Sequence, residues 1–587
     1  MFFAAAVCPS CTGGGAAEPE PPPEDEVVFH GQVAPVLHAR CSPCHHSGGS
    51  GPFSLVTYRE ASRRARQIAV VTADRFMPPW QPAATDTPLI GERRLSDEEI
   101  SLFQRWYAGG TPAGDPAKGM PAPEYSDEWA LGEPDLVIHL PDPYVLPAAG
   151  SDVIRNFVIP VPVDGPRYVR TLDLRPGNAA IVHHAIIKTD PTRASRQLDL
   201  RDDEPGFPGM EMGHAESPDG HLVVWAPGTR PYAGREDIAW RLEPGTDLVL
   251  QLHMVPSGKD ERIQPSIAFY FARRPPTRQA VGLMLRSEEL DIPAGDANYR
   301  VSDTLRLPAV VEVLGLFPHA HYLGKEMFVR ALLPDGTSRT LLHIPDWDFN
   351  WQDMYRFAEP VVLPAGSTLE MDYRFDNSAE NIRNPNYPPR RVVGGNRSED
   401  EMATLGVQVV PRDPADLLLL QAAQFEKLVR DDPRNTVAHY NLGVVSARRG
   451  DLAAAEGHYR RALALDPGDA GTQFNLGGVL ARLGKLAEAE AHYRSAIRLQ
   501  PDDAQAHYFL GRVLGDQGRA DEAANRYRDA LQHDPDFARA HYRLGLGHLE
   551  RGELSRAEEH LTRASRLAPD DADVARALDR LKRIRRP

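Results

Sequence analysis

Cysteine is the scarcest reactive residue in this 587-residue chain: there are only four. Cys8, Cys11, Cys41 and Cys44 all lie near the start. Everything after Cys44 is barred from disulfides and thiolate metal sites, so any metal there falls to histidine, methionine or carboxylate. Long apolar runs are also missing, and none approaches the ~18 residues that a membrane-spanning helix needs. Excess positive charge is absent too. Lysine plus arginine number 66 against 82 aspartate plus glutamate, a formal net charge of −16, with no basic block. That balance argues against nucleic acid or an anionic membrane surface as partner. The content of 42% hydrophobic and 25% charged residues is that of a globular chain,. The length suits roughly three to five domains of about 100–200 residues each.

Proline, by contrast, is plentiful at 53 residues, nearly all before Arg412. The composition predicts loops and strands up to Pro411 and a different architecture beyond it. Met1–Val7 (MFFAAAV) reads as a signal remnant, with Cys8 or Cys11 then open to lipidation, or simply as a disordered start. Residues 13–26 are an acidic, proline-rich linker,. Residues 27–118 turn helical, with Ser96 as N-cap and Glu99 three residues on,. Between 131 and 411, short Val/Ile/Leu runs alternate with turn signals such as Pro334-Asp-Gly336, which predicts two all-β sandwiches,.

Residues 414–587 are periodic. Pro433, Pro467, Pro501, Pro535 and Pro569 keep a 34-residue step. So do Tyr440, Phe474, Tyr508 and Tyr542, the glycines Gly443, Gly477, Gly511 and Gly545, and a second series at Gly450, Gly484, Gly518 and Gly552,. The period and its residues resemble the tetratricopeptide repeat from Asp432 onward, with four repeats and a partial capping helix. The resemblance implies an all-α solenoid that docks a protein partner. His439, His458 and His492 are read as helix-surface or packing residues.

Cys41-Ser-Pro-Cys44-His45 has the C-x-x-C-H spacing of c-type haem attachment,. Both thiols on one helical turn can form thioethers, and His45 can then face the iron. Half a zinc site or a dithiol redox pair would use the same letters. The first lacks a second Cys/His pair and the second a βαβ context. Met77, in Phe76-Met-Pro-Pro-Trp80, is the preferred sixth ligand, with His46 and His30 as weaker alternatives. The segment resembles a small class I c-type cytochrome, which implies one covalently bound haem c, with Trp106-Tyr107 against its edge. Covalent haem attachment in turn implies a bacterial, periplasmic or extracytoplasmic location.

The β region carries His183-His184, His253 in Leu-Gln-Leu-His, His319-Ala-His321 and Met402 in Asp-Glu-Met. On a strand His319 and His321 share a face, whereas His183 and His184 need a strand end or bulge to share an ion. In this order, with Phe349-Asn-Trp-Gln352 between, the set resembles the copper type II ascorbate-dependent monooxygenases, the family of peptidylglycine α-hydroxylating and dopamine β-monooxygenases. The resemblance implies two jelly-roll sandwiches, 131–276 and 277–411, and two copper ions with a solvent cleft between. His183, His184 and His253 would hold the electron-transfer copper. His319, His321 and Met402 would hold the catalytic copper that binds dioxygen beside a small-molecule substrate. Phe317, Thr404 and Gly406 stand where the peptide-carboxylate anchors belong, which implies a less anionic, more apolar substrate. The fold expected is therefore multidomain: a small all-α cytochrome c domain, two all-β jelly-roll sandwiches and a tetratricopeptide solenoid. The function expected is C–H hydroxylation with O2. Electrons would pass through the haem from an external reductant, ascorbate-like or a redox protein. The alternative is a non-catalytic periplasmic electron-transfer or copper-handling scaffold.

Overall fold

The computed structural model describes residues 26–587 apart from 126–128, 151, 214, 230, 288, 396, 398, 586 and 587. The apolar start, Cys8, Cys11 and nearly all of the acidic linker lie outside the described residues.

The helices Ala34–Arg40, Tyr58–Arg63, Ala65–Ala73 and Asp97–Ala108 form the first unit. Capping boxes start two of them. At the last, the Glu99 amide donates to Ser96 Oγ at 3.2 Å and the Ser96 amide to Glu99 Oε2 at 2.8 Å. Phe29, Leu37, Phe103 and Trp106 fill the core. Trp106 is fully buried, but Tyr107 is 44% exposed. The two aromatics therefore do not share a face, because neighbours on a helix point about 100° apart.

Two β units follow. In the first, a sheet ordered Leu136–His139, Ser266–Phe271, Arg167–Arg175, Trp240–Leu242 faces a second sheet. That second sheet is ordered Phe207–Pro208, Val153–Pro160, Asp247–Met254, Val182–Asp190, Val223–Trp225. Their inward residues, Phe157, Leu250, Leu252 and Phe269 among them, make one core. In the second unit, the sheet Val281–Ser287, Ala403–Pro411, Val311–His319, Tyr355–Leu363 faces the sheet Tyr299–Arg306, Thr368–Phe375, Gly324–Leu332, Ser338–Ile344. Alternation along Thr368–Phe375 buries Leu369, Met371, Tyr373 and Phe375,.

Ten helices, from Leu417–Asp431 to Ala572–Arg585, complete the described chain. Both glycine series have physical causes. Gly450, Gly484, Gly518 and Gly552 make the turn between the two helices of each pair with φ between +74° and +85°, a conformation costly for any side chain,. Gly443, Gly477 and Gly511 sit under Tyr459, Tyr493 and Tyr527, where an added Cβ would come within 2.5 to 3.1 Å of the rings. The helix Leu417–Asp431, ahead of the first repeat, belongs partly to the second β unit. Leu420 joins its core, and Gln424 Oε1 accepts from the Met284 amide at 2.8 Å.

Candidate metal centre

His183 and His184 lie at the start of the strand Val182–Asp190, where its register against Asp247–Met254 shifts between Val182 and His184. The shift supplies the irregularity that adjacent histidines need to face one another, and His184 pairs directly with His253,. One ligand atom from each of the three lies within 4.8 Å of the others. The Nδ1 atoms of His183 and His184 are 3.0 Å apart, and His183 Nε2 is buried without a hydrogen-bond partner. His253 Nε2 lies 3.0 Å from Asp152 Oδ2. A carboxylate only accepts, so His253 donates there and keeps the Nδ1 lone pair free, the carboxylate–histidine arrangement of metal sites.

His319 ends the strand Val311–His319, and His321 follows it with the rings 5.2 Å apart. His319 Nδ1 donates to Gln352 Oε1. His321 Nδ1 donates to the Asp400 carbonyl at 3.1 Å. Both Nε2 atoms are thereby left as lone-pair donors. The Glu401 carboxylate accepts from the amides of His321, Leu323 and Met402, the last at 2.8 Å, so one buried side chain ties the Met402 backbone to the His321 turn. Burial pushes the Glu401 carboxyl up to about 8 against those donors.

Burial, reinforced by neighbouring imidazoles, lowers His183 and His321 to about 4 and His319 to about 3, and His184 falls well below its ordinary value. Neutral, unprotonated imidazoles are the metal-binding form. Imidazole clusters of this kind suit a borderline cation such as copper or zinc, and Met402 joins the second set through its backbone, by way of Glu401. Open solvent does not separate the two sets. The Phe349 ring stands between them, 4.7 Å from His183, 5.4 Å from His321 and 4.7 Å from Tyr322.

In the first unit, the His45 amide donates to the Cys41 carbonyl at 2.9 Å, which makes the C-x-x-C-H run one turn. His45 Nδ1 donates to the Phe53 carbonyl at 3.0 Å, leaving Nε2 free. Both thiols are free, and burial pushes Cys41 up to about 12, the reverse of an activated redox thiolate,. These residues could hold a haem through two thioethers and one imidazole. His46 stacks on Tyr125 at 3.9 Å, and His30 packs on Phe29 at 5.1 Å. Met77 is partly exposed on the segment leading to the second β unit.

A cavity of about 420 Å3 lies among the three units, lined by Trp80, Arg93, Leu172, Tyr232, Arg356 and Gln408 among others. Arg356 reaches it from the strand beside Phe317. Its guanidinium lies over the Tyr232 ring at 4.9 Å and donates to Gln408 Oε1 at 3.1 Å. Among the described residues it makes no ion pair with a carboxylate. Asp152 and Arg356 escape a reading by sequence. Phe349 and Gln352 sit inside the Phe-Asn-Trp-Gln string and Glu401 inside Asp-Glu-Met, but only the fold gives them partners.

Comparison with protein families matches tetratricopeptide repeats over residues 422–470, 468–536 and 516–581. No curated protein matches the chain. Similar solved structures include that of MamA, 24% identical over 26% of this chain and 88% of its own, with a TM-score of 0.25. YrrB, described as a tetratricopeptide-repeat protein with an unusual peptide-binding site, is 24% identical over 28% of this chain and 85% of its own, TM-score 0.26. PilF of Pseudomonas aeruginosa is 21% identical over 27% of this chain and 73% of its own, TM-score 0.26. The chain thus joins a strand-rich middle region, built of several sheets, to a C-terminal array of tetratricopeptide repeats.

Proposed function

We propose that this protein is a copper-dependent monooxygenase whose electrons arrive through a c-type haem on the same chain. One observation carries the reading: two histidine sets, with outer ring nitrogens tied to Asp152, Gln352 and the Asp400 carbonyl, leave their other nitrogens free as ligands. His183, His184 and His253 would hold one copper, and His319, His321 and Met402 the other. Bound copper would supply one-electron redox chemistry and O2 activation. The overall balance is RH + O2 + 2e− + 2H+ → ROH + H2O, with the electrons drawn from an ascorbate-like compound or a redox protein. Cys41, Cys44, His45 and Met77 would hold the haem, and its covalent attachment carries an extracytoplasmic location with it.

The protein's own groups do the positioning. Gln352 and Asp152 fix ring orientation, while Phe349 keeps water from between the two sets. The cavity of about 420 Å3 is lined by none of the six proposed copper ligands and also holds the carboxylates Asp173 and Asp353, so the substrate class stays the less anionic, more apolar one that Phe317 implies.

A second reading, a metal-handling scaffold that docks a protein through the repeats, draws support from the family matches, all of which fall in the repeat array. Metal analysis of the purified full chain, with O2 uptake in the presence of small apolar substrates, separates the two. One iron, two coppers and substrate-dependent uptake that His319→Ala abolishes is the expected result. Iron alone and no uptake would favour the scaffold.

A further inference from the structure

The turn that carries Phe349 and Gln352 is gripped from outside the β units. Gln81 Nε2 donates to the carbonyls of Asp348 at 2.9 Å and Trp351 at 2.6 Å, and Gln81 Oε1 accepts from the Asp348 amide at 2.9 Å. One carboxamide therefore satisfies three backbone groups of a five-residue turn. That turn touches both histidine sets, through the Phe349 ring and through Gln352 on His319.

Gln81 stands four residues after Met77, on a segment pinned along the second β unit. Its backbone contacts there are the Ala83 amide on the His343 carbonyl at 2.7 Å, the Ile90 amide on the Arg356 carbonyl at 2.8 Å, and the Ala358 amide on the Pro88 carbonyl at 2.9 Å. Arg93 adds a bond to the Gly228 carbonyl at 3.1 Å and an ion pair to Asp353 at 3.5 Å. At Gly228 an added Cβ would lie 3.2 Å from Cys44 Sγ, so the C-x-x-C-H turn lies against the first β unit.

We propose that Gln81 is a positioning residue that latches the Cys41–Cys44–His45 unit onto the 348–352 turn, making that turn the coupling element between a haem and the histidine sets. The latch rests on the geometry alone; the coupling rests on the function proposed above. With both groups bound, the exchange it would serve passes one electron from the haem iron held by Cys41, Cys44 and His45, ferrous to ferric, to the copper held by His183, His184 and His253, cupric to cuprous. No bond forms or breaks and no proton moves.

The test is Gln81→Leu in the full chain, which keeps a similar bulk but removes both donated bonds and the acceptor of the Asp348 amide. Amide exchange over peptides spanning 345–354, measured without metal, reads the latch. Expected is roughly five- to tenfold faster exchange at Asp348. In haem- and copper-loaded protein, the haem spectrum and copper content should match the parent while flash-initiated haem-to-copper transfer slows. Unchanged exchange overturns the latch. Faster exchange with an unchanged transfer rate overturns the coupling alone. A loaded parent protein that passes no electron overturns the coupling together with the proposed function.

Discussion

Gln352 is held on both ends, its carbonyl accepting from His319 Nδ1 and its amide donating to the Phe349 carbonyl at 3.1 Å. It is 3% exposed, so nothing from solvent would replace it. Gln352→Leu leaves the His319 N–H unpartnered and its ring free to turn. Copper affinity of the His319/His321 set should fall about 10- to 100-fold, measured by competition with a chromophoric chelator. Unchanged affinity would mean the ring is held by packing. The histidines themselves were legible in the sequence because metal ligands are chemically distinctive. Asp152, Gln352 and Glu401 were not, because a carboxylate or amide becomes a positioning group only through partners 33 to 101 residues away.

At the scale of elements, the strand Arg167–Arg175 buries Val169 and Leu174 in the first core. Asp173, one position from Leu174, points the other way, onto the cavity,. Burial raises its carboxyl from 3.8 to about 6, with Arg175 opposing. Between those values the folded chain holds a proton that the unfolded chain has lost, so stability declines as pH rises through that window,. Below the window the two forms bind the proton equally, and above it the loss is complete. Asp173→Asn should therefore stabilise the protein at pH 7 by about 1 kcal/mol, after allowing for solvent screening, with little effect near pH 3.5. Thermal unfolding at the two pH values checks this, and an equal gain at both would refute it. In the repeats the elements were readable down to their turn glycines, since each helix packs mainly on sequence neighbours.

For the whole molecule, the seam between the β region and the repeats is built from buried charge. Lys427, on the helix Leu417–Asp431, is fully buried, with Nζ 2.5 Å from Asp303 Oδ2 and also bonded to Asp431. Asp303 additionally accepts from the Arg286 amide at 2.7 Å. Lys427→Met removes the charge partner of Asp303, which keeps the Arg286 and Thr304 amides, and should cost about 1–3 kcal/mol,, seen as a lower denaturant midpoint for the second β unit together with the first repeat. No change there would mean the helix is held by Leu420 and Gln424 alone.

The dearth of cysteine after Cys44, the 34-residue step and the ordered histidines were fixed by composition and spacing, because they depend on residue identity and local period. Tertiary structure alone decided that a register shift faces His183 to His184, that Phe349 fills the space between the two sets, and that Gln81 reaches the turn carrying it. Those are contacts between residues up to 270 positions apart, and no local pattern encodes the path that brings them together.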